Sequence, residues 1–461
     1  MTSLTIKKYF GSKAFYRRAL LLALPVMFQQ LVQSLVSLID NFMVAELGDV
    51  KMSGVNVAGQ VLFVFIVLLN AVCASGGIFL TQYSGAKDAE GMRQAVKFKT
   101  VVIAFAIIAY FIVCFIFPET FLSLMLAGNT QAEAILEHAV TYMRLMGLIG
   151  VPMAVSTIIA SSFREIGEVK APLVISITAT LVNTFFNWVL IYGNLGAARL
   201  EVAGAAIATI IARTVEMLLY IILLLRRKPE FMVRLKDILK IDFALFRAIL
   251  KKSGMIMFSE MVWVLSETVC TALYNGRGGA DVVSGMSASF AIANLFFVSF
   301  GGITTATGII LGQTLGQGKL DEARKQKRWL LTAAFLFGCF MLFIALLTML
   351  LIPVVFGNLS EGSQHICRQM VLMMALFMPL WVFNNAQFAV SRAGGDTEMG
   401  LWVDGVATIG VVIPGMLLMA YLTDMGPVTM YTLIKAVDIL KICIAWWWLK
   451  KERWVRNLAE K

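Results

Sequence analysis

The chain has 461 residues, of which 59% are hydrophobic and only 15% are charged, and its mean hydropathy is +0.82. Soluble domains are about half apolar and a quarter charged, so this composition places the chain in a lipid bilayer. Six cysteines without a CxxC pair and two histidines argue against a metal centre. The net charge of +11 would suit a nucleic-acid partner, but the cations lie between apolar segments.

Twelve apolar segments are long enough to cross a bilayer as helices, which takes about 20 residues each. In chain order they cover residues 16–46, 53–82, 94–117, 134–163, 169–193, 201–225, 244–275, 283–314, 327–354, 365–391, 398–423 and 427–449. We number these segments as spans 1 to 12. They predict an all-α polytopic membrane protein with 12 transmembrane helices.

The Lys and Arg residues are divided unequally between the two sides of the predicted membrane. The two termini and the connections after the even-numbered spans hold 31 of them, whereas the opposite connections hold four. By the positive-inside rule, both termini are expected in the cytoplasm, with the protein in the bacterial inner (plasma) membrane. Because these cations flank membrane helices, we expect no nucleic-acid partner.

The sequence also repeats itself at half its own length. One constant shift along the chain superposes Gly77 on Gly308, Gln82 on Gln313 and Gly85 on Gly316. Each half holds six spans, so both halves enter the membrane in the same direction. The sequence therefore predicts two six-helix bundles related by a parallel repeat, with a pseudo-twofold axis along the membrane normal. The predicted lobes are residues 1–226 and 244–461, joined by a basic cytoplasmic linker at 227–243.

Span 1 carries a polar stripe that cannot face lipid. Gln30, Gln33, Ser34, Ser37 and Asn41 recur at a spacing of three to four residues, with Asp40 at the edge of the stripe. A carboxylate at this depth can take up a proton or a small cation during a transport cycle. The alternative is an Asp40 that makes structural hydrogen bonds only.

Spans 5 and 6 offer partners for this carboxylate. Asn183 and Asn187 are one helical turn apart, and Thr209 follows in span 6. Together with Asp40, these oxygens form a candidate ion-coupling site for H+ or Na+, although Asn and Thr are also ordinary interhelical hydrogen bonders. We expect no metal ion other than Na+.

Span 7 mirrors span 1 with a second polar face. Glu260, Trp263, Glu267 and Tyr274 lie along it, and acids beside aromatic rings suit an organic cation. The candidate substrate-binding set is Gln33, Ser37, Asn41, Glu260, Trp263, Glu267 and Tyr274. Two alternatives stay open: neighbouring helices satisfy these acids, or Glu260, Glu267 and Asp404 bind the ion rather than the substrate.

Several segments resemble the multidrug and toxic compound extrusion (MATE) family over essentially the whole chain. They are Leu24-Pro25-Val26-Met27-Phe28-Gln29-Gln30 through Asp40-Asn41, Arg164 with Gly167-Glu168, Val202 through Thr209, and Arg392-Ala393-Gly394-Gly395-Asp396-Thr397. The resemblance implies an efflux antiporter that exports organic cations and other amphiphiles against inward flow of Na+ or H+, without a cofactor.

The resemblance also assigns roles to individual positions. Asp40 matches the key acid of the family's first helix, and Asn183 and Thr209 match other members of its N-terminal cation site. Asn187 stands where one branch of the family has an aspartate. A second branch has acids on helices 7 and 10; here span 7 offers Glu260, whereas span 10 offers amides only.

Two other functions fit the sequence less well. A lipid-linked saccharide flippase of the same superfamily would need clustered cations, and Arg144, Arg213, Lys435 and Lys441 lie inside spans. An intramembrane enzyme would need an HExxH, paired-Asp or Ser/His arrangement, which the sequence lacks. We therefore predict a secondary active multidrug efflux antiporter that exchanges its substrates for H+ or Na+. It is expected to be a monomer among membrane lipids and not an enzyme.

Overall fold

The computed structural model describes residues 8–45, 49–126 and 131–460, without the side chains of residues 38, 41, 42, 45 and 49. In these ranges the long helices follow the predicted spans, and we number them accordingly. They are α1 Lys13–Ala45, α2 Asp49–Ala86, α3 Ala89–Phe111, α4 with arms Ala132–Gly147 and Gly150–Glu165, α5 Lys170–Tyr192, α6 Glu201–Arg227, α7 Phe243–Asn275, α8 Ala280–Gly316, α9 Leu320–Thr348, α10 Glu361–Ala393, α11 Gly400–Leu422 and α12 Pro427–Lys450.

Most of these helices can cross a membrane by length and composition. Within the described ranges ten pass this test as single helices, and α4 becomes an eleventh if its two arms, bent by 50°, count as one span. The remaining helix, α12, has 24 residues and carries Lys435, Asp438 and Lys441 in its interior. The predicted all-α membrane protein is confirmed, and α12 differs from the ten single spans in these three interior charges.

The bend in α4 has a local cause. Pro152 lies at the start of the second arm and has no N–H to donate back to the first. Between the arms, Leu148 N donates to Leu145 O at 3.0 Å. This bond spans three residues, as in a 3₁₀-helix, instead of the four of an α-helix. Gly147 lies close against Phe115, so a side chain there would meet that ring at 2.7 Å.

The sequence repeat appears in the structure as a pair of reciprocal contacts between α2 and α8. A Cβ atom at Gly316 would overlap the backbone of Gln82, and one at Gly85 would overlap the backbone of Gln313. In the sequence repeat, Gly85 corresponds to Gly316 and Gln82 corresponds to Gln313, so each contact is the counterpart of the other. Such reciprocal contacts are typical of a twofold axis. Glycine is required because the two backbones touch.

The chain packs into two compact units. The N-unit comprises residues 28–80 and 89–253, and the C-unit comprises residues 1–27, 81–88 and 254–461. The reciprocal glycine contacts lie within the C-unit. The lobe boundaries at 226 and 244 follow the repeat rather than these packing units, and they stay a prediction.

The linker between α6 and α7 is fixed to the N-unit. Phe231 is buried, with its ring 5.2 Å from that of Phe163. Lys97 Nζ donates to the carbonyl oxygen of Lys240 at 2.9 Å. Asp242 then starts α7, because its carboxylate accepts the N–H of Ala244 at 3.0 Å.

Candidate functional site

The N-unit contains a polar cavity of about 450 Å³. Helix α1 contributes Gln29, Gln30, Gln33, Ser37 and Asp40 to its wall, while α2, α4, α5 and α6 supply the other walls. The polar stripe of span 1 therefore faces a cavity, as the cost of placing such groups against lipid requires.

Asp40 lies at one end of a hydrogen-bonded chain in this cavity. Asn187 Nδ2 donates to Asp40 Oδ1 at 2.8 Å and approaches Asn183 Oδ1 at 3.4 Å. Asn183 Nδ2 in turn donates to Thr209 Oγ1 at 3.3 Å. The structure thus brings together all four residues of the predicted ion-coupling set, because Asn183 and Asn187 share a face of α5.

The oxygens around Asp40 suit a proton or a hard monovalent cation. The buried Oδ1 of Asn187 has no hydrogen-bond partner among the described residues. Carboxylate, amide and hydroxyl oxygens are the ligands that hard cations prefer. As ion ligands, Asp40, Asn183, Asn187 and Thr209 stay a prediction.

Asp40 differs from the other carboxylate of this cavity in its charge environment. Glu216 is paired with Arg213, Oε2 to NH1 at 2.7 Å, as their spacing of three residues indicates. In the part of the chain that the structure describes, no cationic side chain pairs with Asp40, whose hydrogen-bond partner is the neutral amide of Asn187.

A second charged cluster in the N-unit was missed by the sequence analysis. Lys99 is fully buried, and its Nζ lies 2.5 Å from Glu165 Oε2 and 3.2 Å from Ser161 Oγ. A side chain at Gly77 would overlap Glu165, so this glycine of the repeat leaves room for the carboxylate. Because Lys99 follows a basic connection, the sequence groups it with the flanking cations.

The C-unit contains a cavity of about 400 Å³ with a different chemistry. Helix α7 contributes Glu260, Trp263 and Glu267, three of the residues predicted to bind substrate. Four acids and three bases line the cavity: Glu260, Glu267, Asp404, Asp438, Arg392, Lys435 and Lys441.

Each acid of this cavity has a basic partner. Lys435 Nζ lies 2.5 Å from Glu267 Oε1, and Arg392 NH2 lies 3.0 Å from Glu260 Oε1. The third base, Lys441, is 2.8 Å from Asp404 and 3.7 Å from Asp438. The geometry agrees with the alternative in which neighbouring helices satisfy the acids of span 7.

The remaining predicted substrate-binding residues fall in different places. Gln33 and Ser37 line the N-unit cavity. Tyr274 is 1% exposed and packs in an apolar cluster, with its ring 5.7 Å from that of Tyr431. The side chain of Asn41 lies outside the described part of the chain.

Sequence reasoning did not assign the charged residues of α12 to a site. Lys435, Asp438 and Lys441 are spaced by three residues inside an apolar span, so they share one helix face. That spacing was the available signal. It was counted only as two isolated cations, whereas the structure places all three residues at the C-unit cavity.

A helical membrane protein with an internal parallel repeat and a polar cavity in each unit is built as a membrane transporter. The model of the MatE family matches residues 25–189 and again residues 256–418. The starts of the two matches, 25 and 256, are separated by the same shift as the repeated glycines. The chain belongs to the MatE family of transporters and is not an enzyme, which confirms the resemblance noted from the sequence.

Known proteins agree with this assignment. The probable multidrug resistance protein NorM of Thermotoga maritima is 23% identical over 68% of this chain and 67% of its own. The probable multidrug resistance protein YoeA of Bacillus subtilis is 23% identical over 96% of each chain. A crystal structure of MATE in complex with MaL6 superposes with a TM-score of 0.85 at 18% identity, covering 98% of this chain and 99% of that one. Such structures have 12 helices in two bundles, so the predicted fold class is confirmed.

Proposed function

We propose that this chain is a secondary active multidrug exporter that exchanges organic cations and other amphiphiles for H+ or Na+. The observation that carries the proposal is the Asp40 carboxylate, which lies in a polar cavity without a basic partner among the described residues. The names of the relatives, probable multidrug resistance proteins, support the substrate class.

In this proposal the charge of Asp40 links ion binding to substrate release. With no ion bound, the carboxylate attracts cationic substrates into the N-unit cavity, where Gln33 and Ser37 offer hydrogen bonds. A bound H+ or Na+ removes that attraction and changes the hydrogen bonds to Asn187. An ion shifts the conformational equilibrium only by its difference in affinity for the two states, so Asp40 must be differently exposed in each.

The distribution of basic residues supports an orientation with both termini in the cytoplasm of a bacterial cell. In that orientation, the ion enters from outside and moves with its gradient. We further propose that a monomer is the working unit, because each cavity is lined within one compact unit of one chain.

The test is ethidium transport, measured as efflux from whole cells or as uptake into everted vesicles, with pH and Na+ gradients imposed separately. The gradient that drives efflux identifies the coupling ion. Asp40→Asn should lower ion-driven efflux at least about tenfold, because the charge that changes is gone. The matched control is Asp321→Asn, at an exposed carboxylate that pairs with Arg324 at 2.7 Å. Full efflux by Asp40→Asn would exclude this mechanism.

A lipid-linked saccharide flippase remains the second candidate, because Arg392, Lys435 and Lys441 all reach the C-unit cavity. Their pairing with acids leaves little free positive charge for a pyrophosphate. Ethidium efflux that responds to neither gradient would favour the flippase.

A further inference from the structure

The two cavities differ in how their acids are neutralised. In the N-unit, Asp40 has a neutral partner, whereas Glu260, Glu267, Asp404 and Asp438 of the C-unit each lie within 4 Å of a basic side chain. A charge that loses its partner away from water is strongly destabilised. A simple organic cation bound to one of these acids would leave a Lys or Arg unpaired.

Two of these pairs are open to the cavity, and one of them, Glu267–Lys435, is set among aromatic rings. The side chains of Glu267 and Lys435 are 30% and 21% exposed, so a ligand in the cavity can reach both. Lys441, in contrast, is 8% exposed and is held by Asp404 and by Thr408 Oγ1 at 3.1 Å. The Glu267–Lys435 pair is therefore accessible to a ligand, as is the Glu260–Arg392 pair, whose side chains are 37% and 27% exposed.

Aromatic rings surround this pair. Trp263 lies four residues before Glu267 on α7, so both side chains share a helix face. Lys435 Nζ lies 5.6 Å from the ring centre of Tyr431. Trp381 also lines the cavity, and its ring is fixed by an Nε1–H donated to Asp438 Oδ2 at 2.9 Å. The cavity thus offers flat apolar walls beside two opposite charges.

We propose that the C-unit cavity binds zwitterionic aromatic amphiphiles, with the ligand's ammonium group on Glu267 and its carboxylate on Lys435. Such a ligand replaces the internal ion pair by two external ones, so no charge loses its partner. Its ring then stacks between Trp263 and the other aromatic walls. This proposal names a substrate class for the proposed exporter. Binding of such a ligand does not depend on the proposed function, but its export does.

The test is equilibrium binding to the purified full chain in lipid nanodiscs, with three dansyl probes that share one fluorophore. Dansyl-cadaverine is a cation, dansyl-glycine is an anion and dansyl-lysine is a zwitterion. We expect dansyl-lysine to bind about tenfold more tightly than either of the others. Binding needs no ion gradient, so its failure is distinguishable from failure of ion-driven efflux.

The variant is Glu267→Gln with Lys435→Gln, which removes both charges together and leaves no unpaired partner. It should lower dansyl-lysine binding about tenfold and leave dansyl-cadaverine and dansyl-glycine within about twofold. The control, Glu119→Gln with Arg144→Gln, neutralises an exposed pair at 3.3 Å. Tighter binding of the cation than of the zwitterion, or dansyl-lysine binding that survives the double substitution, would overturn the proposal.

Discussion

Replacement of Asn187 by Asp tests the chemistry around Asp40 most directly. The substitution keeps the size and shape of the side chain but turns a donor into a second carboxylate. The Asn187 amide donates to Asp40 Oδ1 at 2.8 Å. After the change, two carboxylates face each other where one was hydrogen-bonded.

The short distance between these side chains sets the size of the expected effect on cation affinity. Two unit charges about 4 Å apart repel by about 4 kcal/mol at the effective dielectric constant of about 20 that describes protein sites. A cation bound between them removes that repulsion. Since about 1.4 kcal/mol is tenfold in affinity, Asn187→Asp should tighten binding of one cation by up to about a thousandfold. Asn183 and Thr209 are already in place as further oxygen ligands.

The assay has two readouts, both at fixed pH. The first is the Na+-dependent rise in the thermal unfolding temperature of the purified protein, since a ligand that binds only the folded state stabilises it. The second is ethidium efflux driven by a Na+ gradient in proteoliposomes. Asn194→Asp is the control, because it adds the same charge in the connection after α5, where the Asn194 amide donates to Trp188 O at 2.9 Å.

A double variant makes the reasoning refutable. Asp40→Asn with Asn187→Asp has one carboxylate again, so its Na+ response should return to that of the unmodified chain. If Asn187→Asp responds to Na+ within about twofold of the unmodified chain, the two side chains do not share an ion, and the proposed site is wrong.

Two further predictions concern the packing that supports the cavities. Gly316→Ala should lower the thermal unfolding temperature in detergent, because its Cβ would overlap the backbone of Gln82, whereas Gly308→Ala in the same helix meets nothing within 4 Å and should leave it unchanged. Lys99→Met leaves Glu165 without its cation and should cost about 3–5 kcal/mol of unfolding free energy. Adding Glu165→Gln should recover part of that loss; equal stability of the single and double variants would contradict a role for the pair.

The helices were predictable because a bilayer demands a minimum apolar length. Span 10 was predicted at 365–391, and α10 runs from Glu361 to Ala393. The hydrogen-bond pattern within a helix was harder to predict from the sequence. The first half of α11 consists of π-helical segments, Gly400–Val406 and Thr408–Val412, since its hydrogen bonds skip one residue more than in an α-helix. Hydropathy does not record that difference.

The candidate sites also combine features that the sequence predicts with features that it does not. The grouping of Asn183 with Asn187 follows from their spacing on one helix, whereas their contacts with Asp40 and Thr209, on two other helices, stood as a hypothesis until the structure placed the four residues together. The partner of Glu267 was not, because Lys435 is far away in the chain and meets it only through helix packing. A single sequence shows that α7 and α12 are polar on one face, but not that these faces meet.

Charge pairing differs between the units, although the sequence repeat relates the two halves of the chain. Gly85 and Gly316 serve the same contact in both copies, because the twofold relation needs two backbones to touch there. The charged residues have no such constraint. Under the shift that superposes these glycines, Asp40 corresponds to Thr271 and Glu260 to Gln29. The repeat thus preserves the contact between the two backbones, whereas Asp40, without a basic partner among the described residues, lies in one unit and the paired acid Glu260 lies in the other. We expect variants at Gly85 and Gly316, where the backbones touch, to lower stability, and variants at the unshared acids to change ion or substrate specificity in a folded protein.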